Sequence, residues 1–184
     1  MGRVWFHVGP RPASTATMSL EVIFVRHAIA FERDRARWRD DGERPLSPEG
    51  KRKFRKAAAG LAQWLPKVDA VLTSPLVRTR QTAELLTDVA RWPKAIDTPE
   101  LAPDSSPIAA LGVLRTRKEK RIAVVGHEPR LSELLTLCLA GPEIRPFAPM
   151  KKGSVACVVF NDEVTAGKGT LTAFVPPGAL RKMA

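Results

Sequence analysis

The feature that most constrains the fold is the alternation of short apolar runs with segments of helical periodicity. Three runs stand out: Glu21 to Arg26, Asp69 to Thr73 and Arg121 to Gly126. Each is short and nearly continuous in apolar character, which is typical of a strand buried on both faces. A helical pattern follows each run. This order predicts an α/β fold, a three-layer sandwich with a mostly parallel central sheet and helices on both faces.

The predicted helices begin at serine-proline pairs. Ser47-Pro48, Ser74-Pro75 and Ser106-Pro107 each offer an N-cap hydroxyl followed by a proline for the first helical position. The helix that starts at Ser106 is expected to run to about Arg117. Gly141-Pro142 is expected to end the helix that follows the third strand.

The two ends of the chain differ in character. Ser154 to Phe160 and Thr170 to Val175 predict two further strands, and the turn-rich stretch between them is too short for a crossover helix. We therefore expect a C-terminal hairpin at one edge of the sheet.

Residues 1–17, which include His7, lack periodicity and are interpreted as a loose N-terminal extension. Residues 18–184 are expected to form a single domain.

Composition excludes several classes of protein. The chain has 184 residues and 44% hydrophobic content, enough for one continuous core, whereas its apolar runs fall far short of the ~20 residues of a membrane helix. Cys138 and Cys157 lie among aliphatic residues, which predicts buried free thiols and suits a cytoplasmic location. The net charge of +11 favours polyanionic partners. Because no nucleic-acid-binding motif accompanies the charge, nucleic acid is not the expected partner. The short apolar runs give no reason to expect a membrane partner.

Polar residues follow each of the three buried strands. They are Arg26 and His27 after the first, Ser74 and Arg78 after the second, and His127 and Glu128 after the third. Because ligands of open α/β sheets bind at the carboxyl ends of the strands, we expect these groups to converge on one site. Arginine grips phosphate oxygens with two donors, and a neutral imidazole held among such groups can attack phosphorus. The pattern therefore favours phosphoryl transfer.

Two other chemistries fit the same residues less well. A zinc site would require a third protein ligand, and the two cysteines are predicted to lie in the core, away from these strand ends. A serine hydrolase with Ser74 as nucleophile would require a G-x-S-x-G turn, and Ser74 is better explained as the N-cap of the second helix.

Three motifs give the chain a family resemblance. They are V-R-H-A at Val25 to Ala28, T-S-P-L-V-R-T-R-Q-T-A at Thr73 to Ala83, and V-G-H-E-P at Val125 to Pro129. In this order they resemble the histidine phosphatase, or phosphoglycerate-mutase-like, superfamily. The resemblance is strongest to the short SixA-type phosphohistidine phosphatases, since only Pro99 to Lys120 is available where mutases carry a large insert over the site.

The resemblance implies a role for each site residue. His27 would be the nucleophile and would carry the phosphoryl group transiently. Arg26, Arg78 and His127 would complete the phosphate pocket. Ser74 is added as a substrate-binding residue, and Glu128 stands where some relatives carry a general acid. The resemblance implies no metal ion and no organic cofactor.

The predicted function is hydrolysis of phosphohistidine on a phosphocarrier or phosphotransfer protein through a covalent phosphohistidine intermediate. One alternative is a broad-specificity small-molecule phosphomonoesterase of the same superfamily, whereas a mutase is disfavoured by the missing insert. From a different class, the chain could be a basic phosphate- or nucleic-acid-binding module with a silent site. The sequence leaves the oligomeric state open. The loop Arg33 to Arg44 is expected to rim the pocket, either to steer acidic phosphoproteins or as a plain solvated loop.

Overall fold

The structure is a computed structural model that describes residues 19–184. Within these residues one six-stranded sheet has the order β3-β2-β4-β1-β5-β6. The strands are β1 Leu20–Arg26, β2 Ala70–Thr73, β3 Ile96–Asp97, β4 Arg121–Gly126, β5 Val155–Phe160 and β6 Thr170–Val175. β1 to β4 run parallel, while β5 pairs antiparallel with both β1 and β6. The predicted mostly parallel sheet and the edge hairpin are confirmed.

Helices cover both faces of this sheet. They are α1 Pro48–Trp64, α2 Val77–Ala90, α3 Pro107–Arg115, α4 Arg130–Ala140 and the short α5 Pro177–Leu180. One apolar core joins the sheet to α1 and α2, and a second joins the opposite face to α3 and α4. The strands in the middle of the sheet are therefore buried on both sides, which explains why their sequences are apolar without alternation. The predicted three-layer α/β sandwich is confirmed.

Two of the three predicted helix caps form. The Ser47 hydroxyl accepts a hydrogen bond from Gly50 N at 3.0 Å, and the Ser106 hydroxyl accepts one from Ile108 N at 3.2 Å. The prediction for Ser74 is wrong. α2 begins at Val77, its N-cap residue is Leu76, and no side chain caps it. Ser74 lies too far before the first turn of α2 to cap it, and its hydroxyl instead lies 2.9 Å from Nε2 of His127.

The N-terminus of α1 packs directly on the loop that follows β1. A Cβ atom added at Gly50 would lie 1.9 Å from the Ile29 carbonyl oxygen. That oxygen also accepts a hydrogen bond from Ser47 N at 3.0 Å. The helix is thus fixed two residues beyond His27, at the edge where β1, β2 and β4 end.

Some predictions concern residues or properties that the structure does not test, and one predicted helix end differs from the observed one. The N-terminal extension and His7 lie outside the described residues, and the single domain over residues 18–184 stays a prediction. α3 ends at Arg115, two residues before the predicted end. Cys138 and Cys157 are free and buried, as predicted, and burial raises the pKa of each thiol to about 12. No helix in residues 19–184 is long and apolar enough to cross a membrane.

Candidate active site

The carboxyl ends of β1, β2 and β4 meet at a cleft of about 550 Å³. Five of the six predicted site residues line it: Arg26, His27, Arg78, His127 and Glu128. The rings of the two histidines lie 5.2 Å apart between centroids, with their planes tilted by 54°. The convergence that the sequence predicted is therefore present in the structure.

His27 is held in one ring orientation by the backbone. Its Nδ1 lies 2.7 Å from the Ala28 carbonyl oxygen. A carbonyl oxygen can only accept, so Nδ1 carries the hydrogen and, in the neutral ring, Nε2 carries the lone pair. Burial lowers the pKa of His27 to about 3; the hydrogen bond with the Ala28 carbonyl opposes this shift, and the charges of Arg78, Arg26 and Lys152 add to it. His27 is thus a neutral imidazole whose Nε2 carries the lone pair.

Arg26, the last residue of β1, is fixed from the far side of the cleft. Its Nη1 donates to the Met150 carbonyl oxygen at 2.6 Å, and its own carbonyl oxygen accepts from Gly153 N at 3.1 Å. Its Nε is buried and has no hydrogen-bond partner among the described residues. Burial lowers the pKa of Arg26, while the nearby charge of Glu128 raises it.

Arg78 reaches the cleft from the first turn of α2, and its side chain is only 5% exposed. Its Nη1 donates to the backbone carbonyl oxygen of Asp41 at 2.7 Å, and its Nη2 lies 3.3 Å from the Asp41 carboxylate. Its Nε is buried without a partner among the described residues. Burial lowers the pKa of Arg78, and the charge of Asp41 opposes that shift. The cleft thus holds two partly desolvated guanidiniums.

His127 follows β4 and rests on Ser74. Its Nε2 lies 2.9 Å from the Ser74 hydroxyl, while its buried Nδ1 has no partner in the described part of the chain. Burial lowers the pKa of His127 to about 2, helped by the charges of His27 and Arg78. Ser74 itself is fully buried and does not line the cleft. Its contact is with His127.

Glu128 is engaged by two hydrogen bonds. Its Oε1 accepts from Met150 N at 3.2 Å, and its Oε2 accepts from the Ser132 hydroxyl at 2.6 Å. Met150 is therefore held at both backbone polar groups, by Glu128 at the nitrogen and by Arg26 at the oxygen. This arrangement ties the segment between α4 and β5 to the cleft.

Sequence reasoning missed three contributors to the cleft. Met150 positions Arg26, Asp41 contacts Arg78, and Lys152 lines the cleft as a further cation. Lys152 precedes Gly153, whose positive φ of 79° closes a turn back onto the Arg26 and His27 carbonyl oxygens. A lysine beside a turn glycine just before β5 was a usable signal, because β5 pairs with β1. Nothing in the sequence around Asp41 or Met150 indicated that these residues lie at the cleft.

The loop Arg33 to Arg44 lies where the sequence predicted. Arg33, Asp41 and Arg44 are among its residues that line the cleft. Its base is fixed by the Arg44 guanidinium, which donates to the Phe31 carbonyl oxygen at 2.7 Å. At its tip, Arg37 lies over the rings of Phe31 and Trp38, at 4.6 and 4.8 Å from their centroids. The loop is an ordered wall of the cleft.

No group of three or more His, Cys, Asp or Glu side chains in residues 19–184 is arranged to hold a metal ion. The zinc alternative therefore has no ligand set in the described part of the chain. The predicted independence from cofactors stays a prediction.

Comparison with known proteins identifies the family. The model of the histidine phosphatase superfamily (branch 1) matches residues 22–102, a stretch that includes Arg26, His27 and Arg78. An uncharacterized protein of Picosynechococcus sp. is 38% identical over 117 residues, which cover 62% of this chain and 70% of that protein. The chain belongs to the histidine phosphatase superfamily. The predicted family and the predicted phosphatase class are thereby confirmed.

Several solved structures share the fold of this chain. The protein histidine phosphatase SixA complexed with tungstate superposes with a TM-score of 0.75 at 26% identity, covering 88% of this chain and 99% of SixA. A putative phosphohistidine phosphatase SixA from Agrobacterium tumefaciens has a TM-score of 0.70 at 18% identity, with coverage of 86% and 98%. Phosphoglycerate mutase from Bacillus anthracis has a TM-score of 0.64 at 14% identity, with coverage of 92% and 98%. The last two show the shared fold alone, and the resemblance to SixA-type enzymes is confirmed by the first.

Proposed function

We propose that this histidine phosphatase hydrolyses phosphohistidine on a phosphocarrier or phosphotransfer protein, with Nε2 of His27 as the nucleophile. The observation that carries the proposal is the hydrogen bond from His27 Nδ1 to the Ala28 carbonyl oxygen, made within a cleft that contains Arg26 and Arg78. It leaves the Nε2 lone pair free for attack beside two groups that bind phosphoryl oxygens. The cytoplasmic location is part of the proposal.

The reaction has two displacements. Nε2 of His27 attacks phosphorus, the phosphorus-nitrogen bond of the substrate breaks, and the departing imidazole keeps the electron pair and takes a proton from solvent. Water then attacks the phosphoryl group on His27, and inorganic phosphate leaves with the oxygen of that water. The second bond cleavage returns the lone pair to Nε2, so the enzyme is regenerated.

Arg26, Arg78 and His127 would stabilise the negative charge on the transferred oxygens. Three polar atoms of these residues, namely Nε of each arginine and Nδ1 of His127, are buried without a partner in the described structure. Buried polar atoms without partners are costly, and their concentration around one cleft is typical of a ligand site. Small rotations of these side chains would let a tetrahedral anion satisfy them.

The choice of a nitrogen-bound phosphoryl group rests on the leaving group. Glu128 uses both carboxylate oxygens as acceptors, so we assign it the positioning of Met150 instead of proton donation. An imidazole leaves with modest assistance, whereas an alkoxide requires a proton. The similarity to a protein histidine phosphatase at 26% identity supports the same substrate class.

The proposal is tested by phosphate release from a phosphohistidine-bearing protein, with wild type and His27→Ala compared at matched concentration. We expect turnover in wild type only, together with an acid-labile, alkali-stable label on the enzyme. Unfolding curves of both proteins establish that the variant is folded. Equal turnover by the variant would remove His27 from its role.

A parallel set of alkyl phosphates separates the alternatives. Rates on these esters that match or exceed the rate on phosphohistidine would favour the broad-specificity phosphomonoesterase. Binding of DNA without any phosphate release would favour the silent binding module.

A further inference from the structure

Asp41 is an unexpected neighbour for a phosphate-binding arginine. It opens the short 3-10 helix Asp41–Glu43 in the loop after β1, where the Asp40 side chain caps the turn by accepting from Gly42 N at 2.7 Å. From there its carboxylate lies 3.3 Å from Nη2 of Arg78. Arg78 therefore already has an anionic partner at the wall of the cleft where the substrate phosphoryl group would bind.

We propose that the Asp41 carboxylate is a built-in competitor for Arg78, which keeps the affinity of the cleft for phosphate low so that the product leaves. The proposal rests on the function proposed above, in which Arg78 binds the phosphoryl group. A carboxylate and a phosphoryl oxygen are alternative ligands of one guanidinium. The bound phosphate must therefore either displace Asp41 from Nη2 or lie beside a like charge.

The carboxylate has a second partner that can hold it after such a displacement. Arg44 binds it with two donors, Nε at 2.8 Å and Nη2 at 3.3 Å. Arg44 is buried and is itself fixed by the Phe31 carbonyl oxygen at 2.7 Å. Asp41 can therefore release Arg78 without being left unpaired, and it stays ionised because the hydrogen bond from Arg44 lowers its pKa.

Positioning and competition are separable at this residue. The backbone carbonyl oxygen of Asp41 accepts from Nη1 of Arg78 at 2.7 Å, and no side-chain substitution removes that bond. Asp41→Asn keeps the carbonyl and the side-chain shape while it removes the charge. The variant thus removes the charge while it keeps the backbone contact with Arg78.

A low affinity for phosphate has a catalytic use. Interactions that bind substrate, transition state and product equally do not raise the rate of the chemical step, and they slow product release. A competitor already bound to Arg78 weakens ground-state binding of both substrate and product. We expect product release to slow when it is removed.

The test measures binding of inorganic phosphate to wild type, Asp41→Asn and Asp40→Asn. Binding is followed by the phosphate-dependent rise in unfolding temperature and, independently, by competitive inhibition of phosphatase activity. We expect Asp41→Asn to bind phosphate about tenfold more tightly, as for the removal of one partly exposed like charge beside the anion. Asp40→Asn removes a charge from the same wall without a contact to Arg78, and we expect a change of less than about twofold.

Three results would overturn the inference. Unchanged affinity in Asp41→Asn would show no competition, weaker affinity would show that the carboxylate helps to position Arg78, and equal tightening in Asp40→Asn would show a general charge effect. If Asp41→Asn does not fold, Asp41→Ser removes the same charge and keeps the same backbone carbonyl. Binding of phosphate by wild type tests the proposed function, whereas the ratio between variants tests the inference, so the two failures are distinguishable.

Discussion

Gly50→Ala offers a direct test of how the fold holds His27, the proposed nucleophile, in place. Gly50 lies in the first turn of α1, and a Cβ there would meet the Ile29 carbonyl oxygen at 1.9 Å and the Ile29 carbonyl carbon at 2.8 Å. Both atoms belong to the backbone, so no side-chain rotation can relieve the clash. The helix and the loop would have to separate by more than about 1 Å, in an interior that is packed like a crystal.

The cost follows from what that separation breaks. Overpacking of this kind costs about 1–3 kcal/mol, and each lost hydrogen bond adds about 1 kcal/mol. The hydrogen bond from Ser47 N to the Ile29 carbonyl oxygen, at 3.0 Å, is the first to be lost. We expect a loss of about 3 kcal/mol in the free energy of unfolding, which for a chain of this size lowers Tm by about 6–12 °C.

The same separation would move His27, which lies two residues before Ile29. A displacement of about 1 Å can cost a hundredfold in rate, so we expect activity to fall even well below Tm. The assays are thermal unfolding and phosphate release at low temperature.

Gly112→Ala is the matched control for this substitution. Gly112 lies within α3, and a Cβ there has no atom within 4 Å. Alanine in a helix interior is favoured over glycine by about 0.5–1 kcal/mol, so this variant should be slightly more stable than wild type. The reasoning is refuted if Gly50→Ala unfolds within about 2 °C of wild type, or if both variants are destabilised alike.

Three further predictions address the cleft. Arg78→Gln should lower kcat/KM by about 10²–10³. Arg80→Gln, which removes an exposed arginine on the same helix, should change kcat/KM by less than about twofold. Similar losses in both variants would contradict the assignment of Arg78 to phosphoryl binding. Folding lowers the pKa values of His27 and His127 to about 3 and about 2, so below pH ~6.5 the unfolded chain binds more protons than the folded chain. The contribution of these histidines to stability is therefore complete above that pH and is lost as the pH falls toward 3. His27→Ala should flatten this decline in Tm, and parallel curves for both proteins would refute the prediction. Glu128→Gln should leave the shape of the pH-rate profile unchanged with less than about a tenfold loss of kcat, and loss of the basic limb would restore the proton-donor role.

The sheet and most helix starts could be predicted because their signals are local. An apolar run of β-branched residues indicates a buried strand wherever the other strands lie, and β4 has the predicted bounds, Arg121–Gly126. The edge hairpin followed from the short distance along the chain between β5 and β6. The rule that ligands bind at the carboxyl ends of strands then brought the two histidines together without any knowledge of side-chain positions.

Ser74 shows where local signals fail. Its Ser-Pro pair is the same signal that correctly placed the starts of α1 and α3. The Ser74 hydroxyl nevertheless makes its shorter hydrogen bond, at 2.9 Å, with His127, which is 53 residues away in the chain, and only a 3.5 Å contact with Leu76 N. In a buried site a hydrogen bond to a ring nitrogen replaces the cap, and α2 begins three residues later, at Val77. A helix-start signal depends only on residues that are neighbours in sequence. It therefore cannot anticipate a hydrogen-bond partner such as His127, which the folded sheet places beside Ser74.

The charge of the loop beside the cleft shows a second kind of error. The loop Arg33 to Arg44 contains five arginines but also four carboxylates, so its formal net charge is only +1, which gives little support to the expectation, one of two left open, that it steers acidic phosphoproteins. The single carboxylate of Asp41 lies within 4 Å of three arginines, Arg33, Arg44 and Arg78. Counting basic residues overlooked carboxylates that become ion pairs only in the folded chain. Most of the formal excess of +11 therefore arises elsewhere, for example in Lys51 to Lys56 of α1, which has five cations and no carboxylate. Long-range attraction of polyanions would depend on cations such as those of α1, whereas Asp41 of the loop contacts Arg78 directly and would act at short range.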